Sequence, residues 1–180
     1  MNVVDEVAAI YAACGSGAYF GERVSMTEHG LQAAYFAQQC GAEHALIVAA
    51  LLHDIGHLLE VLPDNLSDWT TDAHHENLGA RWLAQRLRPE ISEPVRLHVA
   101  AKRYLCATDP AYRARLSPAS VHTLKLQGGA MSPPEVSRFE NERYYRDAVR
   151  VRRWDDDGKV VGLKTPTLDS YSALIAQFAL

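Results

Sequence analysis

The stretch Ala49-Ala50-Leu51-Leu52-His53-Asp54-Ile55-Gly56-His57 decides the reading of this chain, because three side chains suited to metal or acid/base work interrupt an otherwise apolar run. Val48 to Leu52 reads as a buried segment, and ionisable groups beside it are costly unless paired or metal-bound. In a helix His53 and Asp54 flank one edge and His57, four residues on, returns to the face of His53. Asp is a hard oxygen donor and His a borderline nitrogen donor, a set that suits Fe, Mn, Zn or Co better than a thiolate-loving ion. The plainer alternative is a helix end in which a buried His bonds its neighbouring Asp, so the weight of the pair depends on partners elsewhere.

Working outward, the flanking segments read as helices. Apolar spacing over residues 3–14 predicts a first helix stopped by Gly15-Ser16-Gly17, and Ala18 to Arg23 reads as a loop. Ser25 with Glu28 is a capping-box signature that opens a helix with His29 in its first turn and an end near Gly41. The central helix is expected from about Glu43 to Leu62, before Pro63. Asp72 reads as the N-cap of a helix through Arg88, with His74 and His75 in its first turn. Ser92 reads as the cap of another, with Pro94 in the opening turn, His98 and Lys102 on one face, and Asp109-Pro110 as its stop. Ser117-Pro118 opens a helix ending at Gly128-Gly129, and Ser132-Pro133 a short one. Glu142 to Trp154 continues helically into Asp155-Asp156-Asp157, and a last helix starts near Leu168. No stretch alternates with period two, so the expected fold is all-α.

The 180 residues are of single-domain size, and one domain over 1–180 is expected. A formal charge of −4 and a pI near 6.0, with no basic stripe, argue against nucleic-acid binding. An acidic N-terminus and the lack of an apolar run long enough to span a bilayer predict no membrane association, and a cytoplasmic location. Cys14, Cys40 and Cys106 lack Cys-x-x-Cys spacing and read as free thiols.

Ionisable groups in apolar settings or at helix starts are His29, His53-Asp54, His75, His98 and, after Val149 to Trp154, Asp155. Four imidazoles and two carboxylates suffice for a binuclear metal site if one carboxylate bridges. His74 competes with His75 by one position, and Asp156 with Asp155. His44 and His122 fit no ligand pattern. Arg150, Arg152 and Arg153 read as surface ion-pair formers, one of which could reach an anion.

The H…HD…D arrangement of His29, His53-Asp54 and Asp155 resembles the HD-domain superfamily, an all-α metal-dependent fold, and His75 with His98 matches its binuclear branch. More closely, Tyr19-Phe20-Gly21-Glu22, Thr27 to Ala34, Leu52 to His57, His98 to Leu105, Leu124 to Gly129 and Arg153-Trp154-Asp155 resemble the PhnZ/TmpB family of mixed-valent di-iron oxygenases. These cleave the carbon–phosphorus bond of 1-hydroxyalkylphosphonates. The resemblance implies one iron on His29, His53, Asp54 and Asp155, and a second on His75 and His98 with Asp54 as bridge. It implies Fe(II)/Fe(III) as cofactor and O2 as co-substrate. It also implies His57, Lys102 and Ser120 as phosphonate contacts, and a mobile pair in which Tyr19 caps the second iron at rest and Glu22 turns toward the substrate's ammonium.

The implied partner is a small zwitterionic phosphonate made by an upstream phosphonate hydroxylase. The implied products are phosphate with glycine, from a 2-amino substrate, or with glycine betaine, from a 2-trimethylammonio one. Ala18 to Glu22 and Trp69-Thr70-Thr71-Asp72-Ala73-His74-His75-Glu76 are more similar to the betaine-forming branch. Tyr19, Phe20, Trp69 and Tyr104 are aromatic candidates for a quaternary ammonium. Two rivals stand beside this reading: an HD-type phosphohydrolase with the same ligands, which has no need of Tyr19 and Glu22, and a catalytically idle HD-fold regulator, against which all six occupied ligand positions speak.

Overall fold

A computed structural model describes residues 2–19, 22–59 and 74–180. Phe20, Gly21, Leu62, Pro63 and the stretch Trp69 to Ala73, named above, lie outside the described residues. Helices occur in the order α1 (Val3–Cys14), α2 (Met26–Gln39), α3 (His44–Leu52), α4 (Ile55–Leu59), α5 (His75–Ala84), α6 (Pro89–Thr108), α7 (Pro110–Ala114), α8 (Pro118–Leu126), α9 (Pro133–Glu140), α10 (Tyr145–Asp157) and α11 (Ser172–Ala176), the last preceded by a 3₁₀ turn at Leu168–Tyr171. Among the described residues β pairing is limited to two isolated bridges, Ala18 with Ser25 and Leu87 with Ala179. The architecture is all-α.

Local chemistry accounts for most boundaries. Asn2 caps α1 by accepting from the Asp5 amide. The Ser25–Glu28 capping box closes in both directions at the start of α2, which satisfies two otherwise orphaned amides. Ser132 with Glu135 does the same for α9. Ser117 caps α8, whose far end is followed by Gly128 and Gly129 in left-handed conformations at φ 90° and 75°.

Three boundaries differ from the sequence expectation. The helix expected over Glu43–Leu62 is interrupted, since α3 ends at Leu52, His53 and Asp54 form a turn, and α4 begins at Ile55. The interruption brings Gly56 against α5 so closely that a Cβ there would lie 2.0 Å from the His75 carbonyl oxygen. The helix expected through Arg88 ends at Ala84, and the cap expected at Ser92 belongs instead to Arg88 with Pro89 in the opening turn. Proline fits there because its missing N–H would have had no intrahelical partner. Ser92 is buried, and Pro94 lies inside α6.

The core runs around α3, where Leu46 to Leu52 are all buried. A helix apolar on every side belongs in the middle of a bundle, and α3 packs against both α2 and α6. Each buried leucine contributes on the order of 1.5–3 kcal/mol relative to exposure. α10 lies across α6 and α2, and α5 across α6 and α4. Five elements thereby converge on the C-terminal end of α3, where His53 and Asp54 emerge. Tyr11 of α1 reinforces that end by donating its hydroxyl to the Leu51 carbonyl at 2.7 Å.

The contact at Gly56 yields a direct expectation. Gly56→Ala inserts a methyl group against the α5 backbone at His75 and Gly79, so α4 and α5 must separate and urea unfolding should show a loss of about 2 kcal/mol. A midpoint equal to wild type would show that the two helices do not approach in this way.

Candidate metal centre and anion pocket

His29 sits in the first turn of α2, His53 and Asp54 in the turn after α3, His75 at the start of α5, His98 in the middle of α6 and Asp155 in the last turn of α10. All six are buried. The two oxygens of Asp54 face different pairs of imidazoles. Oδ2 lies 3.5 Å from His29 Nε2 and 3.4 Å from His53 Nε2, whereas Oδ1 lies 3.3 Å from His75 Nε2 and 3.4 Å from His98 Nε2. Asp155 completes the first group, its oxygens 3.5 Å from His29 Nε2 and 3.6 Å from His53 Nε2.

The hydrogen bonding around these rings fits metal binding. His29, His53 and His98 each direct Nδ1 at a backbone carbonyl, of Gly158, Ala50 and Val95 respectively, at 2.7–2.8 Å. A carbonyl accepts only, so Nδ1 carries the proton and a neutral ring presents a lone pair at Nε2. Yet His29 Nε2 and His53 Nε2 face each other at 3.1 Å, and His75 Nε2 and His98 Nε2 at 3.2 Å. Lone pairs at this separation call for a cation between them. Asp54 Oδ2 and Asp155 Oδ1 are buried and receive no hydrogen bond. Donors placed about 2.1 Å from a shared ion stand roughly 3.0–3.4 Å apart, close to the separations found here. His29, His53 and Asp54 could hold one ion, and Asp54, His75 and His98 a second. The carboxylates make the site electronegative: burial works against a charged His53, yet Asp54 and Asp155 outweigh it and raise its pKa to about 9, so without a metal a proton supplies the positive charge and a metal ion would have to displace it.

Beside these groups is a cavity of about 40 Å³ lined by Tyr19, His57, Lys102, Ser120, Arg152 and Lys159, among others. His57 stacks on His75 with ring centroids 3.7 Å apart, and burial, helped by the nearby His75, holds its pKa well below the ordinary histidine value. Lys102 is buried on α6 and donates to Thr123 Oγ1 at 2.8 Å. Burial, with Arg152 second, pulls its pKa down to about 7. Tyr19 stacks on His29 at 3.8 Å. Glu22, half-buried, lies outside the cavity lining and is tied to Tyr19 by a turn in which its amide donates to the Tyr19 carbonyl at 2.7 Å.

The one-position ambiguities resolve geometrically. His75 stands in the cluster, while the His74 side chain is 66% exposed. Asp155 is 1% exposed and faces the imidazoles; Asp156 instead binds Arg152 and accepts from Tyr112 at 2.5 Å. Tyr104, a candidate for the ammonium pocket, lies elsewhere: it bonds Glu140 and packs on Phe139 and Tyr145.

The arginines also divide. Arg150 pairs with Glu43, and Arg153 with Asp109, at the surface. Arg152, expected with them there, is buried. It donates to Asp155 Oδ2 at 2.7 Å, to Asp156 and to the Tyr112 hydroxyl at 3.0 Å, with Ser120 Oγ 3.5 Å away. The signal in the sequence was its spacing, one helical turn before Asp155 and one residue from buried Val151. Lys159, Thr123 and Gln127 also line the cavity without having been singled out.

A family model described as HD domain matches residues 26–135. The chain is 44% identical over 174 residues to a [1-hydroxy-2-(trimethylamino)ethyl]phosphonate dioxygenase (glycine-betaine-forming) of Leisingera caerulea, covering 97% of this chain and 89% of that protein. It is 44% identical over 154 residues to a hydroxymethylphosphonate dioxygenase of Gimesia maris, covering 85% of this chain and 77% of that protein.

Arg152 neutralises two carboxylates away from water. Its removal strands them, so Arg152→Leu should cost about 3 kcal/mol or more in denaturant unfolding of the metal-free protein. Unchanged stability would mean that Asp155 and Asp156 find their counter-charge elsewhere.

Proposed function

The chain belongs to the HD-domain family, and on that footing we propose that it is an O2-dependent oxygenase that cleaves the carbon–phosphorus bond of a small zwitterionic 1-hydroxyphosphonate. The observation that carries this reading is the sharing of Asp54 between two imidazole pairs directly beside a cationic, hydroxyl-lined cavity. Read as two metal positions beside an anion site, it supports a metal-dependent reaction on a phosphonate. Both relatives at 44% identity are named as phosphonate dioxygenases. The preferred substrate is 1-hydroxy-2-(trimethylammonio)ethylphosphonate, giving glycine betaine and phosphate, with the 2-amino analogue, giving glycine, as the alternative.

His29, His53, Asp54 and Asp155 would hold one iron, and His75 and His98, with Asp54 as bridge, the second. A nitrogen and carboxylate donor set without thiolate fits iron. The bound pair, as Fe(II)/Fe(III), supplies the redox chemistry that couples O2 to the substrate.

The protein's own groups do the rest. Gly158, Ala50 and Val95 carbonyls fix the ring orientations of His29, His53 and His98. Lys102, His57 and the Ser120 hydroxyl receive the phosphonate oxygens, as charged and neutral donors suited to an anion. Tyr19, stacked on His29 at the cavity wall, closes the site until substrate displaces it. Glu22 then meets the ammonium end. The protein works as one cytoplasmic unit, supplied by a hydroxylase that installs the C1 hydroxyl.

The deciding experiment gives iron-loaded protein each of the two substrates with and without O2 and measures phosphate. Oxygen-dependent release from either supports the oxygenase. Release from simple phosphate esters without O2, and none from hydroxyphosphonates, would make the same ligands a hydrolase's.

The Lys102 environment sets a pH limb. With its pKa near 7 in the free protein, Lys102 loses its charge as pH rises, while a bound dianion favours keeping the proton. Affinity for the phosphonate should therefore fall by up to about tenfold per pH unit between roughly pH 7.5 and 9.5. Lys102→Met should bind more weakly throughout and lack that limb; a wild-type affinity flat over this range would remove Lys102 from the anion site.

A further inference from the structure

Lys159 follows Gly158, whose carbonyl orients His29, and precedes Val160. Val160 is clamped to α2 on both of its backbone groups: its amide donates to Gln32 Oε1 at 2.8 Å, and its carbonyl accepts from Gln32 Nε2 at 2.9 Å. Gln32 is itself buried. The backbone on either side of Lys159 is thus fixed to the helix that carries His29, leaving only the lysine side chain to move. That side chain runs inward, 12% exposed, and its ammonium donates to Ser120 Oγ at 3.1 Å in the cavity wall.

The three cations at this wall differ in what they already hold. Arg152 gives its donors to Asp155, Asp156 and Tyr112. Lys102 donates to Thr123 at 2.8 Å. Lys159 has Asp156 only at 3.7 Å, past hydrogen-bond length. Among the described residues neither lysine meets a carboxylate at hydrogen-bond length, so both keep charge for a dianion that arrives here, whereas Arg152 is engaged by two carboxylates.

We propose that Lys159 is a substrate-binding residue, the cation that takes up the phosphonate oxygen beside Ser120, aimed there by the clamp of Gln32 on Val160. The assignment of the anion as a phosphonate rests on the function proposed above. Ser120 Oγ accepts from Lys159, so its own proton is left to donate to the same anion. The position also links substrate to Tyr19. The Lys159 ammonium lies 5.7 Å from the centre of the Tyr19 ring, which also stacks on His29. An anion that draws the ammonium toward Ser120 weakens its attraction to the ring and loosens the closed position of Tyr19.

The test measures binding of inorganic phosphate by calorimetry to the anaerobic iron-loaded protein, together with steady-state kinetics on the hydroxyphosphonate. Lys159→Gln should raise the phosphate Kd and the KM by about ten- to a hundred-fold, as for loss of a charged hydrogen bond. It should leave iron content and thermal midpoint near wild type. Lys159→Arg should restore most of the affinity, and Lys164→Gln, an exposed lysine on the same C-terminal segment, should change nothing. Wild-type Kd and KM in Lys159→Gln would overturn the assignment, as would a Kd that rises only in step with loss of iron or of folding. Phosphate binding that weakens in Lys159→Gln, in a protein that releases no phosphate from hydroxyphosphonates under O2, would uphold the anion subsite and sink the oxygenase function instead.

Discussion

The structure depends on one carboxylate. Asp54, 7% exposed, places each of its oxygens against two imidazoles, in a region where an uncompensated charge is heavily penalised. Its pKa lies well below the usual carboxylate value: burial opposes the charge, but His53 and the other rings outweigh it. An ionised group so placed requires matching positive charge on both sides, and that requirement explains why α2, α3, α5 and α6 each deliver a histidine to the same few ångströms. The close approach of Gly56 to His75 and the carbonyl partners of the rings follow from it, since donors must be held where the carboxylate already is.

The second requirement is that the charge be balanced outward from that centre without admitting water. α10 does this with one helical turn. Asp155 faces the imidazoles, Arg152 binds it at 2.7 Å, and Asp156 and Tyr112 satisfy the rest of the guanidinium. Buried ion pairs of this kind contribute little net stability over an apolar replacement. They set orientation instead: with Arg152 on Oδ2, Asp155 Oδ1 is left without a hydrogen bond and faces His29. The same guanidinium lies 3.5 Å from Ser120, so one side chain joins the metal-facing carboxylate to the anion-facing hydroxyl.

Much of this was legible in the sequence, for identifiable reasons. Helix ends written in local chemistry, such as Ser25–Glu28, Ser117-Pro118 and Ser132–Glu135, appear where expected because their signals act within four residues. The break at His53-Asp54 was not legible, since helix propensity and apolar content run straight through it, and the close contact it allows, of Gly56 with His75, is made with a segment some twenty residues away. The start of α6 was misassigned because Ser92-x-Pro94 imitates a cap that Arg88-Pro89 supplies. The six ligand candidates could be collected as ionisable groups in apolar settings. Arg152 could not be told from Arg150 and Arg153 by composition; only the helical face separates a buried arginine from its exposed neighbours. Tyr104 was assigned by aromatic character alone, and packing sent it to another cluster.

The position of Tyr19 bears on the order of events. Tyr19 stacks on His29 and borders the space between the imidazoles and the cations; under the proposed function a substrate would reach the centre as this ring yields. Its amide bonds the Val24 carbonyl at 2.8 Å, and the Glu22 amide bonds its carbonyl, so the backbone that carries the ring is tied to the one that carries the Glu22 carboxylate. A reduced metal pair that was open at rest would react with O2 unproductively, and a guard displaced by the substrate itself removes that hazard. Under the proposed function the guard, the anion cations and the ammonium partner would act as one device, in which both ends of a small zwitterion are recognised before the centre is exposed.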